Sequence, residues 1–316
     1  MADFDVFNGD ADGIISLVQL RLAEPRQSQL VTGRKRDIQL LGRVDAGKGD
    51  RVTVLDISLS KNRESLERIL QADAEVYYFD HHHADPIPDH PKLESFIDTS
   101  PEICTALLVD DYLGEAYRAW AVTAAFGDNF PELAKKKGRR LKIPLEPLAR
   151  LGMLINYNGY GADISDLHFH PETLYRELVN YKTPMDFLAA QTKTYEALET
   201  GYEADKVVMA EGRSALDTEN HFALVLPGVA ASRRMSGVHG NALAQSHPDR
   251  AHAILTEQEG GYLVSLRAPL NRRHGADELA MKFETGGGRS AAAGINHLPE
   301  SDFERFLETF QKSFAV

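Results

Sequence analysis

Three clusters of carboxylate and imidazole stand directly after apolar, β-forming runs. Val76-Tyr77-Tyr78-Phe79 ends in Asp80-His81-His82-His83, Val52-Thr53-Val54-Leu55 ends in Asp56, and Phe4-Asp5-Val6-Phe7 runs into Asn8-Gly9-Asp10-Ala11-Asp12-Gly13. Neutral imidazole together with carboxylate suits Mn2+, Fe2+, Co2+ or Zn2+, and a histidine beside an aspartate has its tautomer and orientation fixed. A carboxylate just after Val-Thr-Val-Leu is costly to bury unless it is paired or metal-bound. Each cluster also has a plain reading. A His-His after a strand is usually a polar turn, and Asp10-x-Asp12-Gly13 is a common helix cap. The latter also looks like the start of a calcium loop, but Gln19 or Arg21 stands where the bidentate glutamate should be. Three strand ends carrying the same chemistry outweigh the plain readings.

Periodicity supplies the elements that must position these groups. A strand to about residue 7 feeds an amphipathic helix over 13–23, residues 30–32 form a short strand, and 51–58 a buried strand ending at Asp56. A helix over 61–71, capped by Ser58 or Ser60, leads to the buried strand 76–79. Strands and helices alternating through short links predict an α/β fold with a parallel, doubly wound sheet, which keeps its chemistry at the carboxyl ends of its strands. The basic clusters Gly33-Arg34-Lys35-Arg36 and 135–142 read as solvated loops, with phosphate steering the lesser alternative.

With 316 residues, 43% hydrophobic and 26% charged, the chain can bury sizeable cores and is expected to form two domains. No targeting segment or membrane-spanning run is evident, so a soluble cytoplasmic protein is expected, without membrane partners. Cys104 is the single cysteine, which excludes an internal disulfide and any cysteine-based zinc site. The net charge of −12 argues against long duplex DNA, which is usually gripped by a broad basic surface. A small anionic ligand at a metal-lined site fits better, and a homodimer is left open.

The order and spacing of the three clusters resemble those of the DHH phosphoesterase superfamily, which includes RecJ-type exonucleases, oligoribonucleases and family II inorganic pyrophosphatases. Its first motif is matched by Asn8-Gly9-Asp10-Ala11-Asp12-Gly13, its second by Leu55-Asp56 and its third by Asp80-His81-His82. Ser100-Pro101-Glu102-Ile103-Cys104-Thr105 then matches the helix cap that follows the third motif, with the helix running to Leu113. The fourth motif, a Gly-Asp closing an apolar helix, is matched by Phe126-Gly127-Asp128, in preference to the cluster Asp163, Asp166, His168 and His170, which is read as structural. The resemblance implies two divalent ions, usually Mn2+ with Mg2+ or Co2+ as substitutes, and two-metal activation of water. Asp56 would bridge the ions, Asp10 would bind the first, and Asp12, His81 and Asp128 the second. His82, with Asp80, would serve the scissile phosphate or leaving group, and His83 is expected to be structural.

Asn8 departs from the pattern, because the superfamily commonly has a histidine or aspartate there as a ligand of the first ion. Either that ion binds loosely, or Asn8 caps the turn and a water completes the coordination. Residues 148–155 read as a helix, and 156–161 as a loop whose tyrosines pack against the neighbouring domain. Helices over 173–181 and 184–198 lead to strands at 222–226, 251–255 and 262–267, with Gly260-Gly261 as a hairpin turn. The second domain is similar to the DHH-associated substrate domain, in which Ser265-Leu266-Arg267 and the glycine-rich Gly286-Gly287-Gly288-Arg289 would bind phosphate. Arg289 replaces a histidine, keeping a phosphate-binding charge but losing a proton donor and acceptor. The expected organisation is a catalytic metal-binding domain over 1–185, a helical connector over 186–204, and a smaller mixed α/β substrate-binding domain over 205–316. The expected activity is Mn2+-dependent hydrolysis of short oligonucleotides or small nucleotides. The alternatives are a nucleotide-binding regulator with weak or lost turnover, and an inorganic pyrophosphatase.

Overall fold

The computed structural model describes residues 1–100 and 103–314. The chain divides into two compact units, 1–200 and 201–316. The first contains strands β1 (Asp3–Phe7), β2 (Gln29–Val31), β3 (Arg51–Leu55), β4 (Glu75–Asp80) and β5 (Leu93–Ile97). Its helices are α1 (Ala11–Ala23), α2 (Leu59–Gln71), α3 (Thr105–Tyr112), α4 (Arg118–Gly127), α5 (Pro131–Gly138), α6 (Glu146–Gly159), α7 (Pro171–Leu178) and α8 (Pro184–Ala189), and α9 (Lys193–Asp205) runs across the division.

The five strands form one all-parallel sheet in the order β2-β1-β3-β4-β5, the α/β class expected from the sequence. Register does the positioning. Phe7 pairs with Leu55 and Leu55 with Phe79, so the residues that follow, Asn8, Asp56 and Asp80, leave neighbouring strands at one level. Val6, Val52, Val54, Val76 and Tyr78 pack on one face against Leu66, Ile69 and Leu70 of α2. Those α2 residues, with Leu59, recur at helical spacing and make one apolar face. Burying each such side chain contributes about 1.5–3 kcal/mol. Helix α1 is instead buried all round, with Ile14, Ile15, Leu17 and Val18 fully shielded and α3, α4, α6 and α7 against it. Arg21 ties this helix to the sheet. Its Nε and Nη2 donate to Asp5 Oδ2 and Oδ1 at 2.8 and 2.5 Å, and Nη2 reaches Thr53 Oγ1 at 3.3 Å.

Several sequence expectations change. Helix α1 begins at Ala11, two residues early, because Asp10 is its N-cap and accepts from the N–H groups of Asp12 and Gly13. Helix α2 begins at Leu59 with Ser58 at the cap position, but the Ser58 hydroxyl meets Ser60 Oγ and the His83 carbonyl rather than capping. Lys135, Lys136 and Lys137 lie in α5 rather than in a loop, favourably placed at its carboxyl end. Residues 156–159 continue α6 and are buried, so Tyr157 packs inside its own unit, its hydroxyl 2.7 Å from His168 Nε2. The helix expected over 184–198 is broken between Ala189 and Lys193 into α8 and α9. For the cap after the third motif, Pro101 and Glu102 lie outside the described residues, and α3 begins at Thr105.

The second unit holds β6 (Arg213–Asp217), β7 (His221–Leu226), α10 (Ala230–Ser246), β8 (Ala251–Gln258), β9 (Gly261–Arg267), α11 (Ala276–Ala280), β10 (Gly286–Arg289), β11 (Ala292–Pro299) and α12 (Phe303–Ser313). These strands make a mixed sheet in the order β10-β11-β9-β8-β7-β6, parallel only between β7 and β8, where α10 is the crossover. Its core joins Val225, Leu255, Val264, Leu266 and Ile295 to Phe306 and Phe310 of α12. The glycine-rich segment is an edge strand rather than a loop, paired antiparallel with β11. No described helix is long and apolar enough to cross a membrane.

Candidate metal centre

Asp12, Asp56, His81 and Asp128 converge beyond the carboxyl ends of the parallel strands. His81 Nε2 lies 3.4 Å from Asp56 Oδ1, 3.7 Å from Asp128 Oδ2 and 3.9 Å from Asp12 Oδ2. Among the described residues, two groups have ligand atoms close enough to hold a cation: Asp12, His81 and Asp128, and Asp56, His81 and His82.

The surroundings fix each group. His81 Nδ1 lies 2.8 Å from the Ile103 carbonyl oxygen, which can only accept. Nδ1 therefore carries a proton, and Nε2 is the ring atom that faces the carboxylates and is left to bind a metal. Asp12 accepts from the N–H groups of Thr105 and Ala106 at the start of α3, both at 2.8 Å. Asp56 sits just past β3 with φ of 59°, a left-handed backbone that costs a non-glycine residue energy and clusters at functional sites. Its Oδ1 accepts from Thr105 Oγ1 at 3.2 Å. Asp128 closes α4, whose approach to α6 depends on glycine: a Cβ on Gly127 would lie 2.7 Å from the Gly152 carbonyl oxygen and 2.5 Å from Ala11 Cβ. Its Oδ2 is buried and has no hydrogen-bond partner.

Electrostatics agree that a cation belongs here. Burial, then the charges of Asp128 and Asp10, push Asp12 up from 3.8 to about 7. Burial and the neighbouring carboxylates Asp12, Asp10, Asp128 and Asp80 hold Asp56 well above the ordinary range. Carboxylates crowded this way are stabilised by a divalent ion, and the donor set of oxygens with one imidazole suits such ions. The orphaned Asp128 Oδ2 and the oriented His81 Nε2 are the donors it would engage.

His82 borders this quartet, its Nδ1 3.8 Å from Asp56 Oδ1, but that nitrogen is engaged elsewhere. Its Nδ1 bonds Asp80 Oδ1 at 2.7 Å, and its side chain is a quarter exposed. Burial disfavours the Asp80 carboxylate, yet the adjoining imidazoles of His82 and His81 draw it below its ordinary value. Asp80 therefore orients His82 through Nδ1.

Asn8 caps the turn, one of its two expected roles, its Oδ1 accepting from the Asp10 N–H at 3.2 Å. Asp10 Oδ1 caps α1, and Oδ2 accepts from Lys35 Nζ. Burial opposes the Asp10 charge, but the Lys35 ammonium outweighs it and lowers Asp10 to about 2. Lys35 Nζ also reaches Asn156 Oδ1 at 3.2 Å and Asp128 Oδ1 at 3.5 Å, above the Tyr160 ring. The sequence reads Lys35 as a solvated loop residue, and its basic run is the only signal there of its role. The Ile103 carbonyl leaves no sequence signal, because any residue supplies one. The alternative cluster lies elsewhere in role: Asp163 accepts from Ser165, Asp166 from Ala162 and Asp163, His170 from Glu172, and His168 meets Tyr157.

In the second unit, the Arg267 guanidinium is buried and committed to Asn241 Oδ1, Ser265 Oγ and the carbonyls of Leu266 and Gly237. Gly286, Gly287, Gly288 and Arg289 lie along edge strand β10, with Arg289 exposed. A Cβ on Gly288 would meet Ala293 Cα at 2.4 Å, and φ there is 149°, so this position of the pairing depends on glycine.

A parallel α/β unit with carboxylates and histidine gathered at its strand ends, followed by a mixed-sheet unit, defines a two-unit α/β protein with a candidate metal centre. The fold is that of the DHH-domain proteins. No model of a known protein family matches the sequence, and no curated protein matches it. Solved structures do. A DHH-domain protein described as a member of a family of ribosomal proteins is 13% identical, with 98% of this chain and 86% of that one covered and a TM-score of 0.63. Exonuclease RecJ bound to manganese is 16% identical, with 99% and 90% covered and a TM-score of 0.58. A pGpG-specific phosphodiesterase from Vibrio cholerae is also 16% identical, with 99% of each chain covered and a TM-score of 0.55.

Proposed function

We propose that this chain is a divalent-metal-dependent phosphoesterase that hydrolyses a phosphodiester in a short oligonucleotide or small nucleotide. The observation that carries the reading is the convergence of Asp12, Asp56 and Asp128 on His81 Nε2. The structural neighbours named as a manganese-bound exonuclease and a pGpG phosphodiesterase support it. So does the net charge of −12, which disfavours a long polyanion.

Asp12, Asp56, His81 and Asp128 would hold the ion, with Mn2+ the first choice and Mg2+ or Co2+ substitutes. A bound divalent cation offsets charge on phosphoryl oxygens and lowers the pKa of water, the chemistry that in-line phosphoryl transfer needs. Asp80 fixes His82 with its Nδ1 engaged, so Nε2 is the atom that exchanges a proton with the leaving oxygen. The Lys35 ammonium can exchange its 3.5 Å contact with Asp128 Oδ1 for a phosphoryl oxygen, which it binds as a point charge. We assign phosphate contacts to Arg289 and to the edge strand of Gly286, Gly287 and Gly288 that carries it. The engaged Arg267 we assign to holding α10 on β9, in place of the direct substrate contact expected from sequence.

The test is hydrolysis by metal-free protein, with Mn2+ added back, of short RNA and DNA oligomers, linear and cyclic dinucleotides, 3′,5′-bisphosphorylated adenosine and pyrophosphate. Turnover of a phosphodiester that stops on chelation is the expected result. Nucleotide binding without turnover of any member would instead support a regulator, and turnover of pyrophosphate alone a pyrophosphatase.

A further inference from the structure

The residues that would hold a first ion do not fit one. Asn8 spends both ends of its amide on the chain: Oδ1 accepts from Asp10 N–H at 3.2 Å, and Nδ2 donates to the Lys35 carbonyl at 3.3 Å. Asp10 Oδ1 is taken by the Asp12 and Gly13 N–H groups at 3.0 and 3.1 Å, and its Oδ2 by Lys35 Nζ. The ammonium has three N–H donors and three oxygens around it, on Asp10, Asn156 and Asp128. A divalent cation on Asp10 Oδ2 would have to share that one oxygen with the ammonium and stand beside its positive charge.

The loop that carries Lys35 is fastened on both sides. Its N–H donates to the Gly159 carbonyl at 3.0 Å, and its carbonyl accepts from Asn8. Gly9 allows the approach, since a Cβ there would lie 1.8 Å from the Gly33 carbonyl oxygen. Asn8 and Lys35 are therefore one device: the amide that fails as a metal ligand holds the lysine in the ligand's place.

The geometry points to a one-metal centre, in which the Lys35 ammonium occupies the first cation position beside Asp10 and a single divalent ion binds to Asp12, Asp56, His81 and Asp128. This rests on the metal-dependent reading above and refines it. An ammonium offsets phosphoryl charge through directed hydrogen bonds, but it cannot acidify water as a metal does. The division of labour follows: one ion for the attacking water, one lysine for the phosphate.

The experiment is Mn2+ stoichiometry of the full chain by equilibrium dialysis, with electron paramagnetic resonance on the same samples. One Mn2+ per chain, with the six-line signal of an isolated ion, is expected. Two per chain with an exchange-coupled signal would overturn the one-metal centre while leaving the metal-dependent reading intact. No bound Mn2+ would overturn both. In Asn8→His/Lys35→Ala the first position is opened, and stoichiometry should rise to two; a folded double variant that still binds one would overturn Lys35 as its occupant. Lys35→Arg keeps a cation and should stay at one, with a rise to two overturning the assignment independently of the double variant's folding.

Discussion

The Nδ1 of His81 lies 2.8 Å from the carbonyl oxygen of Ile103, a main-chain acceptor that dictates which imidazole nitrogen is left for a metal. The contact joins the end of β4 to the approach to α3, whose first N–H groups hold Asp12. One local connection thus orients two of the four proposed ligands.

Asp56→Asn keeps the size of the side chain and tolerance of the left-handed backbone, where alanine would add strain. It removes the central anion. Mn2+ affinity should fall beyond the roughly 10–100-fold cost of losing an outer hydrogen-bond partner, with metal-dependent turnover abolished. Calorimetric titration and a hydrolysis assay check this, and unchanged affinity would remove Asp56 from the centre.

His82→Gln should separate binding from chemistry. The imidazole that exchanges a proton is lost, yet Asp12, Asp56, His81 and Asp128 are untouched, so Mn2+ affinity should hold within a few-fold. Turnover should drop by about 10²–10⁴-fold. A large fall in metal affinity with proportionate loss of turnover would make His82 a ligand instead.

Metal-free protein should lose stability as pH rises. Asp12, at about 7 in the fold against an ordinary 3.8, holds a proton that the unfolded chain releases. The folded state therefore binds more protons between pH of about 4 and 7, and stability falls through that window by on the order of 4 kcal/mol. Asp56 shifts the same way. Asp10, lowered to about 2, acts oppositely but only below 3.8. Saturating Mn2+ favours the charged carboxylates and should abolish the decline. Denaturation midpoints across this range, with and without Mn2+, decide it; a metal-free protein that gains stability with pH would refute the crowding.

Arg21→Ala leaves Asp5 buried and charged beneath α1. Breaking a buried pair from one side typically costs about 3–5 kcal/mol, and the melting temperature should fall accordingly. Arg21→Ala with Asp5→Ala should recover part of the loss, and no recovery would show that packing, not charge, dominates there.

Gly152→Ala places a Cβ 2.0 Å from the Thr123 carbonyl oxygen, forcing α4 and α6 apart. Overpacking of this kind costs about 1–3 kcal/mol. Because Asp128 closes α4, Mn2+ affinity should fall with stability. Weakened stability at full affinity would mean that Asp128 does not depend on the crossing.

The parallel sheet and its acidic edge are legible in the sequence because buried parallel strands are apolar runs and their polar ends break sharply. β5 is not, since Leu93–Ile97 is an edge strand, largely half-exposed or exposed, and lacks that contrast. Asn156 to Gly159 carry turn-forming residues, so they read as a loop. Tertiary bonds override that preference: Asn158 pairs with the Phe169 backbone at both ends, and the Gly159 carbonyl accepts from Lys35. α10, with Ser, Gly and Arg through its length, offers little apolar periodicity and escapes a sequence reading. Lys35 is the main loss at the site. A lysine in a basic run gives no sign that its ammonium turns inward, because that depends on partners at positions 8, 10, 128 and 156.

The central claim is that the ends of β1, β3, β4 and α4 build one metal centre, and anomalous diffraction at the manganese edge from Mn2+-loaded crystals tests it most directly. A peak is expected about 2.0–2.3 Å from oxygens of Asp12, Asp56 and Asp128 and from His81 Nε2. A peak that lacks these ligands, or none at this edge of the sheet, would contradict it.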